Sequence, residues 1–400
     1  MRRSHGRGAL AAAVLLAACG PAEPAPIVYP TTTDAPRGVL RVDFFSPITA
    51  LDNTVLRPDE WASVATDPAR GLVFAGSRDG TLVALEAESG AFAWEYRFTG
   101  ALAGEPLPVE IGGEPALLVS TTNGALVALD LKTRQPRWTY ETQGELRNRP
   151  LVVGDVVYFA NTRDQVFALD VRTGTWRWQY EQPFQKDFTV HGRAGLAFIG
   201  DHDDESVPEG GMILTGFDSG RVAAIGASAG ESLWVVSVAP PEGGNFVDAD
   251  GTPWIDREAG EVVVTGQATG VHGLALADGA QRWFRPVRGA GSVVGGPGGA
   301  LVFGSSLEGA FVIERGGRQR WRQQQDPGVL STPVILNETV VFGHSERGLI
   351  AYDLITGELL AQLDLGSGIS GQPVYDSVFH RFYAVSNRGV LMAFRVGGEG

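Results

Sequence analysis

The stretch LVFAGSRDGTLVALEAESGAFAWEY, residues 72–96, carries the plan of the whole chain. It reads as an apolar strand, a turn ending on Gly80, a second apolar strand through Ala84 and Leu85, a turn ending on Gly90, and a strand bearing Trp94. Short apolar runs between turn residues are strands covered on both faces. The pattern returns as ALLVSTTNGALVALDLKTRQPRWTY from Ala116, VVYFANTRDQVFALDVRTGTWRWQY from Val156 and ILTGFDSGRVAAIGASAGESLW from Ile213. It continues as VVVTGQATGVHGLALADGAQRW from Val262, LVFGSSLEGAFVIERGGRQRW from Leu301 and VVFGHSERGLIAYDLITGELLAQL from Val340. An eighth copy, FYAVSNRGVLMAF from Phe382, stops one strand short.

Each recurring residue has a mechanical reason. Gly80, Gly124, Gly220, Gly270, Gly309, Gly348 and Gly389 stand where a tight hairpin needs positive φ. Gly90, Gly174, Gly230, Gly279 and Gly317 stand four residues before Trp94, Trp178, Trp234, Trp283 and Trp321, which fixes the length of the second turn. Ala84, Ala128, Ala168, Ala224, Ala275, Ala351 and Ala393 are assigned to one strand position, where close packing between neighbouring units asks for a small side chain. Successive tryptophans are 38 to 56 residues apart, with about four strands per unit. That spacing belongs to propeller blades. The fold class expected is all-β, an eight-bladed β-propeller of four-stranded antiparallel blades over residues 39–396, with a tail at 397–400. The eighth copy lacks an outer strand, and residues 39–44 (VLRVDF) are the segment expected to supply it, closing the ring from the N-terminal side.

Composition agrees with many strands and tight turns: 54 glycines and 23 prolines in 400 residues, 44% hydrophobic and 20% charged. A formal charge of −14 excludes nucleic acid as a partner, because phosphate binding needs basic stripes.

The chain opens with Arg2, Arg3 and Arg7 ahead of an apolar run at 9–18, too short to span a bilayer and suited to a signal peptide. It ends in Leu16-Ala17-Ala18-Cys19, which resembles the bacterial lipobox, and Cys19 is the only cysteine. The resemblance implies cleavage after residue 18 and lipidation of Cys19; an ordinary secretory signal is the other reading. Gly20 in place of an aspartate resembles the pattern sorted to the outer membrane. Cleavage leaves 29 basic and 46 acidic residues, a charge of −17, so attachment to a membrane would come from the N-terminal lipid. Residues 19–38, with Pro21, Pro24, Pro26, Pro30 and Pro36, read as an extended tether.

The repeat lacks the WD dipeptide and resembles the pyrroloquinoline-quinone-like propeller repeat over nearly all of residues 64–396. Function in such a wheel sits where the repeat is broken. Two links between blades are long: EQPFQKDFTVHGR after Tyr180, with Phe184, Phe188 and Val190, and APPEGGNFVDADGTPW after Ser237 and Val238, with Phe246, Asp248 and Asp250. Links of consecutive blades lie side by side on one face, setting an apolar patch beside an acidic one. The segments FTVHG at 188–192 and DADGTP at 248–253 resemble the BamB lipoproteins of the outer-membrane β-barrel assembly machine. The resemblance implies a non-catalytic scaffold on the periplasmic face of the outer membrane that binds POTRA domains of BamA. Phe188 and Val190 then take the apolar partner-binding places, Asp248 and Asp250 the acidic ones, and His191 stands where the family has arginine. An Asx-rich turn is the plainer reading of residues 248–251.

A quinoprotein dehydrogenase is the enzymatic rival. Its vicinal cysteine pair is ruled out by the single Cys19, and no convergent calcium set is visible. No nucleophile elbow, HExxH or phosphate loop occurs. The expectation is therefore a protein with no cofactor and no catalytic residues. A propeller lipoprotein with another binding or sensing role shares every feature but the two links. The run Asp201-His202-Asp203-Asp204-Glu205 fits a solvated loop, with a divalent-metal site as the sharper alternative, and belongs on the opposite face from the links.

Overall fold

In the computed structural model, the described residues are 40–49, 63–182, 194–240, 248–249, 251–324 and 327–396. They form eight four-stranded antiparallel sheets and only two short 3-10 turns. Blades 1 to 7 span residues 64–97, 107–141, 151–181, 197–237, 254–286, 294–323 and 334–364, each strand pairing with the next in sequence. Blade 8 takes three strands from residues 374–396 and its outermost strand from Leu40–Pro47. The ring is thus closed from the N-terminal side, as the sequence predicts, with a strand longer than the expected one.

The two middle strands of each blade are apolar on both sides because both sides are covered. In blade 1, Val73, Ala75, Val83 and Leu85 face blade 8, while Phe74, Leu82 and Ala84 face blade 2. Eight such buried clusters, one per interface between neighbouring blades, make up the core.

The tryptophans dock between blades. The indole N–H groups of Trp138, Trp178, Trp234 and Trp321 donate to the carbonyls of Val171, Ala227, Leu276 and Leu354 on the following blade, at 2.9–3.0 Å. The ring then lies against the second turn of that blade. A Cβ on Gly174 would stand 2.8 Å from the Trp138 ring, and its φ is +69°, so two constraints select glycine there. In blade 2 that position is Arg134, also at positive φ (59°), whose guanidinium lies over the Trp94 ring at 5.6 Å. All seven hairpin glycines adopt positive φ, and Asp164 (φ 59°) fills that place in blade 3.

One assignment needs correcting. The small residue opposite Trp283 is Gly273, not Ala275, which pairs with Glu261 two residues along. Trp283 is also exceptional in donating its N–H to the Glu261 carboxylate (2.9 Å). With no Cβ at 273 the indole settles 2.0 Å from where one would be, closer to its own blade.

The closing strand substitutes its own parts for the tryptophan. Phe44 packs on the second-turn Gly90 of blade 1, and Tyr383 donates its hydroxyl to Ala87 O (2.6 Å), the acceptor equivalent to Val171. Burial pushes the Tyr383 phenol up to about 12, so it stays a neutral donor. A bulge between Val42 and Phe44 takes Asp43 out of the ladder, where it accepts from buried Arg381 (2.7 Å) and from Arg395. Burial opposes ionisation of Asp43, but the two arginine hydrogen bonds outweigh it and hold the carboxyl below its ordinary pKa.

Asp43→Asn should destabilise the wheel by roughly 3 kcal/mol at neutral pH, since it leaves Arg381 desolvated without its counter-ion. A carboxyl with a lowered folded pKa stabilises above its unfolded pKa of about 3.9 and ceases to as pH falls through the folded value. Urea melts of both proteins should therefore differ most near neutrality, begin to converge at about pH 4, and coincide only once the pH is below the lowered folded pKa. In the same melts Trp234→Phe should cost about 1–2 kcal/mol, because Leu276 O loses its donor.

Candidate functional site

Antiparallel alternation puts the links between blades and the hairpins between the two middle strands on one face of the wheel. On that face blades 3, 4 and 5 differ from the rest. The hairpins 161–164 and 217–220 and the end of the link into blade 5 interlock there: Ala249 N–H donates to Phe217 O (3.2 Å), and Gln267 N–H to Asp248 O (3.0 Å). Gly216 admits this approach, since a Cβ would lie 2.1 Å from Ala249 O. Asp164 accepts the Asp218 amide at its Oδ1 (3.4 Å), and its backbone carbonyl accepts the Gln182 N–H (3.1 Å). The Tyr180 and Phe217 rings lie 6.2 Å apart beside these turns.

Of the residues assigned to partner binding, Phe188, Val190, His191 and Asp250 lie outside the described residues, as does the lipidation candidate Cys19. Asp248 is described and is only 1% exposed. Its side chain is therefore buried on this face. Asp164 and Asp218 are buried on the same face and went unremarked in the sequence. The signal for Asp164 was available: it stands where seven other copies place glycine. Three buried carboxylates on neighbouring blades are costly to desolvate and demand polar company.

Along the axis runs a cavity of about 1270 Å³, lined by the starts of the innermost strands. Its charged wall is one-sided, with Glu105, Glu110, Arg147 and Arg149 all from blades 2 and 3 and the links ahead of them. Elsewhere the lining mixes apolar side chains, among them Leu107, Leu151, Leu196 and Trp254, with the hydroxyls of Ser63, Thr252, Ser292, Thr332 and Ser370. Thr252 and Ser292 stitch blades together there, Thr252 Oγ1 accepting from Gly195 N (3.1 Å) and Ser292 Oγ from Thr252 N (3.0 Å). Glu105 meets Arg149 at 3.0 Å with its side chain 19% exposed. Burial raises its pKa, and attraction to the half-exposed Arg149 offsets that only in part.

The acidic run at 201–205 lies on the opposite face, in the turn between the first two strands of blade 4. Its carboxylates are used by their own turn: Asp201 accepts from Gly210 N, Asp203 from Gly200 N, and Asp204 from the Ser206 amide and hydroxyl. Hydrogen bonds from the Ser206 hydroxyl and amide lower the pKa of Asp204. Asp203 also meets Arg257 of blade 5 (3.3 Å). Among the described residues no group of three His, Cys, Asp or Glu side chains is placed to share a metal ion.

The family model for the outer membrane protein assembly factor BamB matches residues 56–111, 108–314 and 260–400. The chain belongs to this family. A solved structure of BamB from Moraxella catarrhalis is similar at a TM-score of 0.72 and 19% identity, covering 89% of this chain and all of that one. Quinohemoprotein alcohol dehydrogenase from Comamonas testosteroni is similar at 0.66 and 14%, covering 91% of this chain and 77% of that one. Sqt1 from Saccharomyces cerevisiae is similar at 0.70 and 12%, covering 86% and 97%. At these identities the likenesses speak for the wheel alone. No curated protein sequence matches the chain.

Because Glu105 is held above its ordinary pKa, ionising it costs folding free energy once the pH exceeds the unfolded value. Glu105→Gln should therefore gain stability relative to the native chain as pH rises from 4 to 7, and paired thermal melts at those two values would register it.

Proposed function

We propose that this chain is a non-catalytic scaffold that binds a protein partner during outer-membrane β-barrel assembly. In this reading it is anchored through a lipid on Cys19 at the periplasmic face of the outer membrane, with residues 19–38 as tether. The observation that carries the reading is the match of the BamB family model over residues 56–400, links included. The hydrogen-bonded hairpins of blades 3 and 4 support it, since they lie on the face to which the two long links belong. Phe188, Val190, His191 and Asp250 are the proposed contacts, with Asp248 fixing the base of the second link. The partner is then a BamA-type barrel protein, met through its periplasmic POTRA domains.

The axial cavity favours one second reading, a propeller that holds a small redox group over its axis. A bound quinone or haem absorbs visible light, so the spectrum of the purified native protein separates the two.

Affinity isolation of the lipidated protein from outer membranes should recover a BamA-type barrel protein with the native chain and lose it with Phe188→Ala, Asp250→Arg. Asp248 is left untouched because its substitution would disturb the buried base. Loss in a variant that melts like the native protein supports the scaffold reading and these loops; recovery with neither protein removes the barrel partner, and recovery with both moves the contact elsewhere.

A further inference from the structure

Each blade ends in an outer strand whose far edge pairs with no strand among the described residues. A free edge is a template for another chain, and folded proteins blunt it with charge or proline. Seven of the eight edges are blunted in this way. Phe92–Arg97 carries Glu95 and Arg97, Pro136–Glu141 carries proline and two charges, and Trp176–Glu181 carries Arg177 and Glu181. Gln281–Pro286 has two arginines and a proline, Gln319–Gln323 two arginines, Leu359–Asp364 its terminal aspartate, and Leu40–Pro47 Arg41, Asp43 and Pro47. The exception is Ser232–Ser237 of blade 4, SLWVVS, which has neither charge nor proline.

The apolar residues of this strand divide between two uses. Trp234 and Val236 pack into the cluster shared with blade 5. Leu233 and Val235, on the other side of the strand, are 37% and 38% exposed, although nothing in the repeat requires apolar residues there. Phe284 on the next outer strand is 45% exposed. Charge appears only at the ends of the edge, with Glu231 before the strand and Arg221 paired opposite Ser237.

We infer that the outer edge of blade 4 is a binding site for an extended, uncharged segment of another protein, which adds to the blade as a fifth strand. The occupant's chemistry follows from the charge pattern. A segment laid along 232–237 finds no counter-ion opposite its middle, so a Lys or Glu there would be desolvated without compensation, whereas alternate β-branched residues would continue the surface of Leu233 and Val235. A second copy of this chain fits less well, because the two bodies each carry a formal charge of −14. The inference rests on the residues of this strand alone, so it does not depend on the barrel-assembly reading.

The probe is a fluorescein-labelled, end-blocked octapeptide of alternating Thr and Val, titrated onto the full-length protein with anisotropy as readout. Saturable binding is expected, weakened at least tenfold by Val235→Lys and restored to within about threefold by Val235→Thr. The same peptide with Lys and Glu at its central positions should bind at least tenfold more weakly, and peptide binding should slow amide exchange at residues 233–237. The inference is overturned by absence of saturable binding to the native protein, by equal binding to a natively melting Val235→Lys, by equal affinity for the charged peptide, or by protection confined to other residues. Sedimentation that shows a dimer already protecting 233–237 would assign the edge to a second copy and overturn it equally.

Discussion

The contact between one blade's indole and the next blade's second turn is the constraint on which the wheel depends. It joins a hydrogen bond, a ring packed on a Cβ-less residue and a left-handed turn at one point, repeated around the ring. Each component fixes the others: the turn places the carbonyl, the carbonyl orients the ring, and the ring leaves no room for a side chain on the turn. A blade therefore has little freedom to slide against its neighbour. The eight buried clusters can then be close-packed on both sides of every sheet.

The places where this contact is altered are informative. Blade 2 replaces the glycine with Arg134 and exchanges packing for a cation over the ring, and blade 8 uses Phe44 and Tyr383 in place of one tryptophan. Blade 5 turns Trp283 onto its own Glu261. Blade 7 has Ala361 at the tryptophan position, packed in one cluster with Leu40, Phe382 and Phe394 of blade 8, so the wheel tolerates exchange of chemistry at the joint. On the face that carries the links, blades 3 to 5 bury three carboxylates, those of Asp164, Asp218 and Asp248.

Most of the fold was legible because it rests on local, repeated requirements. Gly80 and its equivalents announce hairpins, tryptophans announce blade spacing, and a copy that stops at Phe394 announces a missing strand. What was not legible depends on register or on burial of polar groups. Ala275 passed for the small residue because it lies in a similar run, and only pairing distinguishes Gly273 opposite Trp283. Asp248 took an acidic partner-binding place from the family resemblance, and its burial depends on neighbouring turns such as that of Gln267, whose amide bonds its carbonyl, distant in sequence. The unguarded edge at 232–237 was written in plain sight, yet it acquires meaning only once that strand is known to be outermost.

The closing strand also sets an order of events. Leu40–Pro47 pairs with Val390–Val396 across nearly the whole chain, so the ring cannot shut until its last strand is available. Before then blade 1 lacks the neighbour that covers Val73, Val83 and Leu85, and blade 8 lacks its rim. Contacts of such sequence separation form late and at a high entropic cost. An arc left open would present two uncovered ends, so the same residues that complete the ring, 40–47, also remove its exposed edges.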